Sequence, residues 1–223
     1  MNSNSEPTII KTTPDPIISL YQRRARNYDL TANLYYLLGF REQAYRKKAV
    51  RSLHLNPGDT VVELCCGTGL NFSLLHDAVG SKGKIIGVDI TDAMLAQAKA
   101  RMKRKGWANI ELVLEDVGTY NPPSGVHGFI STFALTLLPD YDAVIQKTYD
   151  SLVPGGRLAL VDFKLPDNSL RFLAPLAAFA AKPFGVELEL SVRHPWESIR
   201  RNFAEMSMEE LYGGGAYLAV GKK

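Results

Sequence analysis

Glu63, Gly67, Gly69 and Asp89 are the residues whose types and spacing first suggest chemistry. They lie in VVELCCGTGL (61–70) and IIGVDI (85–90), two short apolar runs of the kind that form buried strands. The first run ends in a glycine turn and the second on an acid. Gly67 and Gly69 let the backbone turn sharply and approach a ligand closely. Asp89 follows Gly69 by 20 residues, where a carboxylate at a strand end accepts both hydroxyls of a ribose. A nucleoside-containing ligand is therefore expected.

Two features separate the nucleoside ligands. A dinucleotide site wants a third glycine three residues after the second, and that place holds Phe72. A pyrophosphate rests on a helix N-terminus and avoids anions, yet Glu63 stands four residues before Gly67. No lysine follows the turn as it does in a triphosphate-binding loop. A positively charged nucleoside suits the acid, and S-adenosyl-L-methionine, with its sulfonium and ammonium groups, is one.

Those residues need a scaffold. The 223 residues, 46% apolar and 22% charged, suit one globular domain. A net charge of +3 is too small to argue for nucleic acid, and none is expected as a partner. The only cysteines are the adjacent Cys65 and Cys66, which fit neither a disulfide framework nor a zinc pattern. A reducing, cytoplasmic compartment and no metal are expected. Residues 1–16 lack the pattern of a signal peptide and are expected to form a mobile arm.

Ile17, Ile18, Tyr21, Tyr28, Leu34, Leu37 and Leu38 recur near helical spacing, so residues 17–55 read as a helical cap. After the break at Asn56-Pro57-Gly58-Asp59, short apolar strands (60–65, 84–89, 110–114, 128–134, 157–163) alternate with helices near 69–79, 91–105 and 140–152. This predicts an α/β fold: a Rossmann-like, doubly wound, seven-stranded and mostly parallel sheet with an antiparallel last strand. The cofactor-binding core spans 56–163. Residues 164–202, broken by Pro166, Pro175, Pro183 and Pro195, read as a lid or substrate segment, and 203–223 as a terminal strand hairpin.

The tracts ELCCGTG, VDI, LEDV, FALTLLPD and VPGGRLALVDF resemble the successive motifs of class I S-adenosylmethionine-dependent methyltransferases, over about residues 20 to 165. The resemblance implies that Glu63, Cys65, Gly67 and Gly69 frame the methionine part of the cofactor, with Cys65 at a place where many relatives have glycine. It implies Asp89 at the ribose hydroxyls, Ile90 among the cofactor contacts, Asp116 at the adenine amino group, and Met94 and Val117 flanking the adenine. Thr132 and Phe133 fall where cofactor meets substrate. Structural roles compete for three of these: Asp116 as the start of a helix, Glu63 as an acid bonding turn amides, and Met94 as core.

For proton transfer or substrate contact the candidates are Tyr28, with Tyr21 comparable, and His194. His54 and His127 precede strands and fall at the opposite rim. Two acceptor classes compete. The first half resembles ubiquinone and menaquinone C-methyltransferases, whereas Gly-Thr-Gly-Leu-Asn is as close to phospholipid or betaine-lipid N-methyltransferases. The expected acceptor is small or amphipathic, an amine such as a lipid head group being preferred over a quinone precursor. A non-catalytic cofactor-binding subunit is the alternative of another class. Arg23, Arg24, Arg26, Arg41, Arg46, Lys47, Lys48 and Arg51, with the apolar 172–186, suggest transient contact with an anionic membrane at its inner surface.

Overall fold

Val61, Val62 and Leu64 are apolar on both sides of their strand because both faces of the sheet are covered. The computed structural model describes residues 16–28, 39–166 and 193–223. Its strands are β1 (Thr60–Leu64), β2 (Lys84–Asp89), β3 (Ile110–Leu114), β4 (Val126–Thr132), β5 (Leu152–Phe163), β6 (Glu205–Leu211) and β7 (Ala216–Lys222). They form one seven-stranded sheet in the order β3-β2-β1-β4-β5-β7-β6. Neighbours from β3 to β5 pair parallel, and β7 runs antiparallel to both β5 and β6. The predicted fold class is the one observed.

Six α-helices are described: α1 (Pro16–Arg24), α2 (Glu42–Ser52), α3 (Phe72–Val79), α4 (Asp92–Lys105), α5 (Tyr141–Ser151) and α6 (Pro195–Asn202). On one face Val61, Ile85, Ile130 and Val161 pack with Ala49 and Val50 of α2, Phe72 and Leu75 of α3, and Ala98 of α4. On the other, Val62, Phe129, Leu158 and Leu160 pack with Val144 and Ile145 of α5 and Ile199 of α6. Gly106, left-handed at φ 70°, ends α4 as the sequence suggests.

Three expectations need correction. The helix expected from residue 69 begins at Phe72, because Gly67 and Gly69 adopt positive φ and hold the chain in a turn. Pro154-Gly155-Gly156 does not precede a strand but bulges within β5, whose pairing with β4 jumps from Val126↔Leu152 to Gly128↔Arg157. The N-terminal helical run is interrupted at Gly39 and Phe40, before α2. Residues 29–38, and the apolar stretch within 167–192, lie outside the described residues.

Candidate active site

The strand order reverses between β1 and β4, and in open α/β sheets ligands bind beyond the carboxyl ends at that point. The turn after β1 is built for close approach. A Cβ on Gly67 (φ 54°) would meet nothing within 4 Å, so space is open beside it. A Cβ on Gly69 (φ 74°) would strike the Phe72 ring at 2.5 Å. Phe72 is fully buried and would stand 2.7 Å from a Cβ on Gly87, so an aromatic core residue fills the region a third glycine would have opened.

Asp89 closes this turn from the end of β2. Its Oδ2 accepts the Gly67 N–H at 2.8 Å and its Oδ1 the Thr91 N–H at 2.9 Å. Burial raises its carboxyl above the usual value, and these bonds draw it back. With the Thr91 side chain also bonded to it, the carboxylate still has acceptor capacity to offer a ligand hydroxyl. Cys65 holds a left-handed φ of 55°, the geometry that favours glycine. Burial pushes its thiol well up, reinforced by Asp89, Asp162, Asp116 and Glu63 around it.

Glu63 is not open to the turn. It is buried, its Oε1 accepts Asn71 Nδ2 at 2.8 Å, and its Oε2 has no partner among the described residues. Burial raises its carboxyl to about 8, opposed by the Arg46 guanidinium and by Asn71. Near neutrality it is thus largely protonated, and it repels a phosphate less than the sequence argument assumed.

Asp116 is exposed, and its Oδ1 accepts the Gly118 N–H at 2.8 Å. Its carbonyl takes the N–H groups of Thr119 and Tyr120, so it organises a turn where a helix start was the competing idea. Met94 and Val117 are 2% and 5% exposed, and are packed as core. The apolar side chains that do face outward beside Asp89 are Ile90, at 41%, and Leu114, at 59%. Leu114 pairs with Asp89 in register.

Phe133 leaves β4 with φ 60°, its N–H bonded to the Val161 carbonyl at 2.7 Å. That turn places its ring 5.4 Å from Phe40 and 5.1 Å from Phe163, and Tyr212 closes on Phe40 at 5.2 Å. An aromatic wall therefore stands at the carboxyl rim beside Thr132. Across the rim, Asp162 accepts the N–H groups of Thr136 and Phe163, both at 2.9 Å, and burial raises it to about 6.

α1 and the 3₁₀ turn Ala25–Asn27 pack on α4, and Gln22 Nε2 donates to Asp92 Oδ1 at 2.6 Å. The Tyr21 and Tyr28 rings are 6.2 Å apart. Burial first, then Tyr28, Asp162 and Cys65, push the Tyr21 hydroxyl up, which sets it among the rim groups. His194 precedes α6. Its ring stacks on Trp196 at 4.5 Å and its Nδ1 lies 3.4 Å from Glu197. His127 lies at the amino rim, where its Nδ1 accepts the Thr60 N–H at 3.2 Å.

Sequence reasoning overlooked Arg46, Asn71 and Leu114. Arg46 was counted with a basic surface but is buried, with its Nε and Nη2 on Glu42 Oε1 at 2.8 and 2.6 Å. The available signal was Glu42 four residues before it.

Known proteins resemble this chain in sequence and in fold. The chain is 29% identical to the demethylmenaquinone methyltransferase of Oceanobacillus iheyensis over 127 residues, 56% of this chain and 53% of that protein. It thus spans about half the length of that relative. It is 33% identical to the 2-phytyl-1,4-naphtoquinone methyltransferase of Thermosynechococcus vestitus over 69% of this chain and 67% of the relative. In fold it resembles the N-methyltransferase NodS from Bradyrhizobium japonicum, with a TM-score of 0.64 and 16% identity over 93% of this chain and 98% of that one. A model of the ubiE/COQ5 methyltransferase family matches residues 10–181, and the chain belongs to that family.

Proposed function

We propose that the protein transfers a methyl group from S-adenosyl-L-methionine to a ring carbon of a reduced, prenylated quinone. The observation that carries this reading is the aromatic cluster of Phe40, Phe133, Phe163 and Tyr212, which gives the rim beside Thr132 an apolar, ring-lined side suited to an aromatic acceptor. Two named relatives point the same way, since both act on naphthoquinones by their names. The amine acceptor preferred on sequence alone has less behind it. Its specific support is the set of carboxylates around Cys65, which would suit a cation.

The chain's part is mostly positioning. Asp89 holds the glycine turn and presents its remaining lone pairs to the ribose. Gly67 leaves room for the methionine end, next to Cys65. Asp116 takes the adenine amino group, with Ile90 and Leu114 against the ring in place of the buried Met94 and Val117. When bound, the cofactor would supply a methyl carbon activated by its sulfonium, which would pass to the ring carbon with the S–CH₃ electron pair leaving on sulfur and the ring proton afterwards lost to solvent. α1, with Tyr21 and Tyr28, covers the rim and keeps water out. His194, held by Trp196 and Glu197, is given no proton to carry.

The test offers methyl-labelled cofactor with demethylmenaquinol or with phosphatidylethanolamine vesicles. Label in the quinone supports ring methylation, and label in the polar lipid supports the amine. Label in neither, from folded protein that binds cofactor, removes both and leaves a non-catalytic binding protein.

A further inference from the structure

Arg46 sits where a basic helix turns its one buried cation toward the sheet. Besides Glu42, its Nη1 donates to Asn71 Oδ1 at 3.3 Å and makes a short contact with Thr132 Oγ1. A guanidinium has donors only, so the Asn71 group facing it must be the amide oxygen. That fixes the rest of the amide: Nδ2 points to Glu63 Oε1 at 2.8 Å and to Thr132 Oγ1 at 3.1 Å. Asn71 is fully buried, and this single orientation satisfies its oxygen and both its hydrogens.

Thr132 feels the consequence. A hydroxyl has two acceptor lone pairs and one hydrogen. Arg46 and Asn71 occupy both lone pairs. The hydrogen has no acceptor among the described residues, and the residue ends β4 beside the aromatic wall. We propose that Arg46 is a positioning residue: acting directly and through Asn71, it makes the Thr132 hydroxyl a fixed hydrogen-bond donor, so the ligand group at the tip of β4 is an oxygen acceptor and not an ammonium. The positive charge on one lone pair polarises the O–H bond and strengthens the donor. An anionic oxygen suits it best, from either the amino-acid carboxylate of the cofactor or the oxygen next to the reacting carbon of the methyl acceptor. The second source rests on the proposed quinone reaction.

Calorimetry with two probes distinguishes the sources without turnover. S-adenosylhomocysteine carries the amino-acid end, and 5′-methylthioadenosine lacks it. If the partner is the cofactor carboxylate, Thr132→Val weakens the first about tenfold and the second less than twofold, and Thr132→Ser restores the ratio. If the partner is the acceptor's oxygen, both probes bind the Val variant normally, while kcat with demethylmenaquinol falls about tenfold and recovers in Thr132→Ser. Arg46→Met reproduces whichever pattern the Val variant gives. Should it fail to fold, Asn71→Asp does the same with Arg46 in place, because the new carboxylate draws the Thr132 hydrogen inward. The proposal is overturned by equal weakening of both probes, by a Val variant with normal binding and turnover, by a Ser variant as impaired as Val, or by folded Arg46→Met or Asn71→Asp with wild-type selectivity. Wild-type protein that binds neither probe sinks the methyl-transfer reading itself, and this proposal with it.

Discussion

The two ends of the parallel strands are built to different standards. At the carboxyl end, three of the described non-glycine residues hold positive φ: Cys65, Phe133 and Tyr212. Three buried carboxylates, Glu63, Asp89 and Asp162, sit there with raised affinity for protons. At the amino end, the Asn56–Asp59 turn and His127 form ordinary partly exposed pairs, such as His127 Nε2 with Asp59 Oδ1 at 3.5 Å. His54 (φ 53°) is the amino end's one such residue among those described. Backbone strain and buried charge both cost stability, and their concentration at one end marks where ligand contacts offset that cost.

The contrast breaks most easily at glycine. Gly69→Ala at the carboxyl end meets both a positive φ and the Phe72 ring, whereas Gly58→Ala at the amino end meets the φ alone. Urea unfolding is expected to show a loss of about 2–5 kcal/mol for the first and about 1–2 for the second. Equal losses would mean that the turn is no tighter than an ordinary corner. Next in size, Asp89→Ala is expected to weaken S-adenosylhomocysteine binding by roughly 1.5–3 kcal/mol in calorimetry. Unchanged affinity in a folded variant removes the ribose assignment.

The buried acids give a pH signature. The native state holds protons on Glu63 up to about pH 8 and on Asp162 up to about 6, while the unfolded chain releases them near 4.5 and 3.8. Across those windows the native state binds more protons, so unliganded stability falls as pH rises from about 4 to 8. Thermal scans of Glu63→Gln should lose the part of the decline between about pH 5 and 8, worth roughly 3–4 kcal/mol. A wild-type Tm that rises over that range contradicts it. The smallest effect belongs to the amino end. His127→Gln is expected to change stability by less than about 0.5 kcal/mol and to leave turnover intact, and a loss of turnover there would erase the distinction between the ends.

Much of the carboxyl end was readable from the chain. The glycine turn, the acid 20 residues later and the apolar runs are local patterns, and each landed on its expected rim. Arg46 was not readable, because a helix with Arg41, Lys47, Lys48 and Arg51 around it looks like a solvated face. Its burial depends on partners 25 and 86 residues away, Asn71 and Thr132. That Leu114 is exposed and Met94 buried was unreadable for a similar reason. Helical and strand periodicity assign a face but not the neighbours, and α1 lies across α4, the helix that carries Met94. The start of α3 was missed because the positive φ at Gly69 delays the first helical residue.

The order β5-β7-β6 also governs how the chain reaches this state. The seventh strand to be synthesised lies inside the sheet, so β5 keeps a bare hydrogen-bonding edge until residues 216–222 have left the ribosome. A nascent chain paused before that point exposes an apolar, unpaired strand, an edge on which another chain can pair.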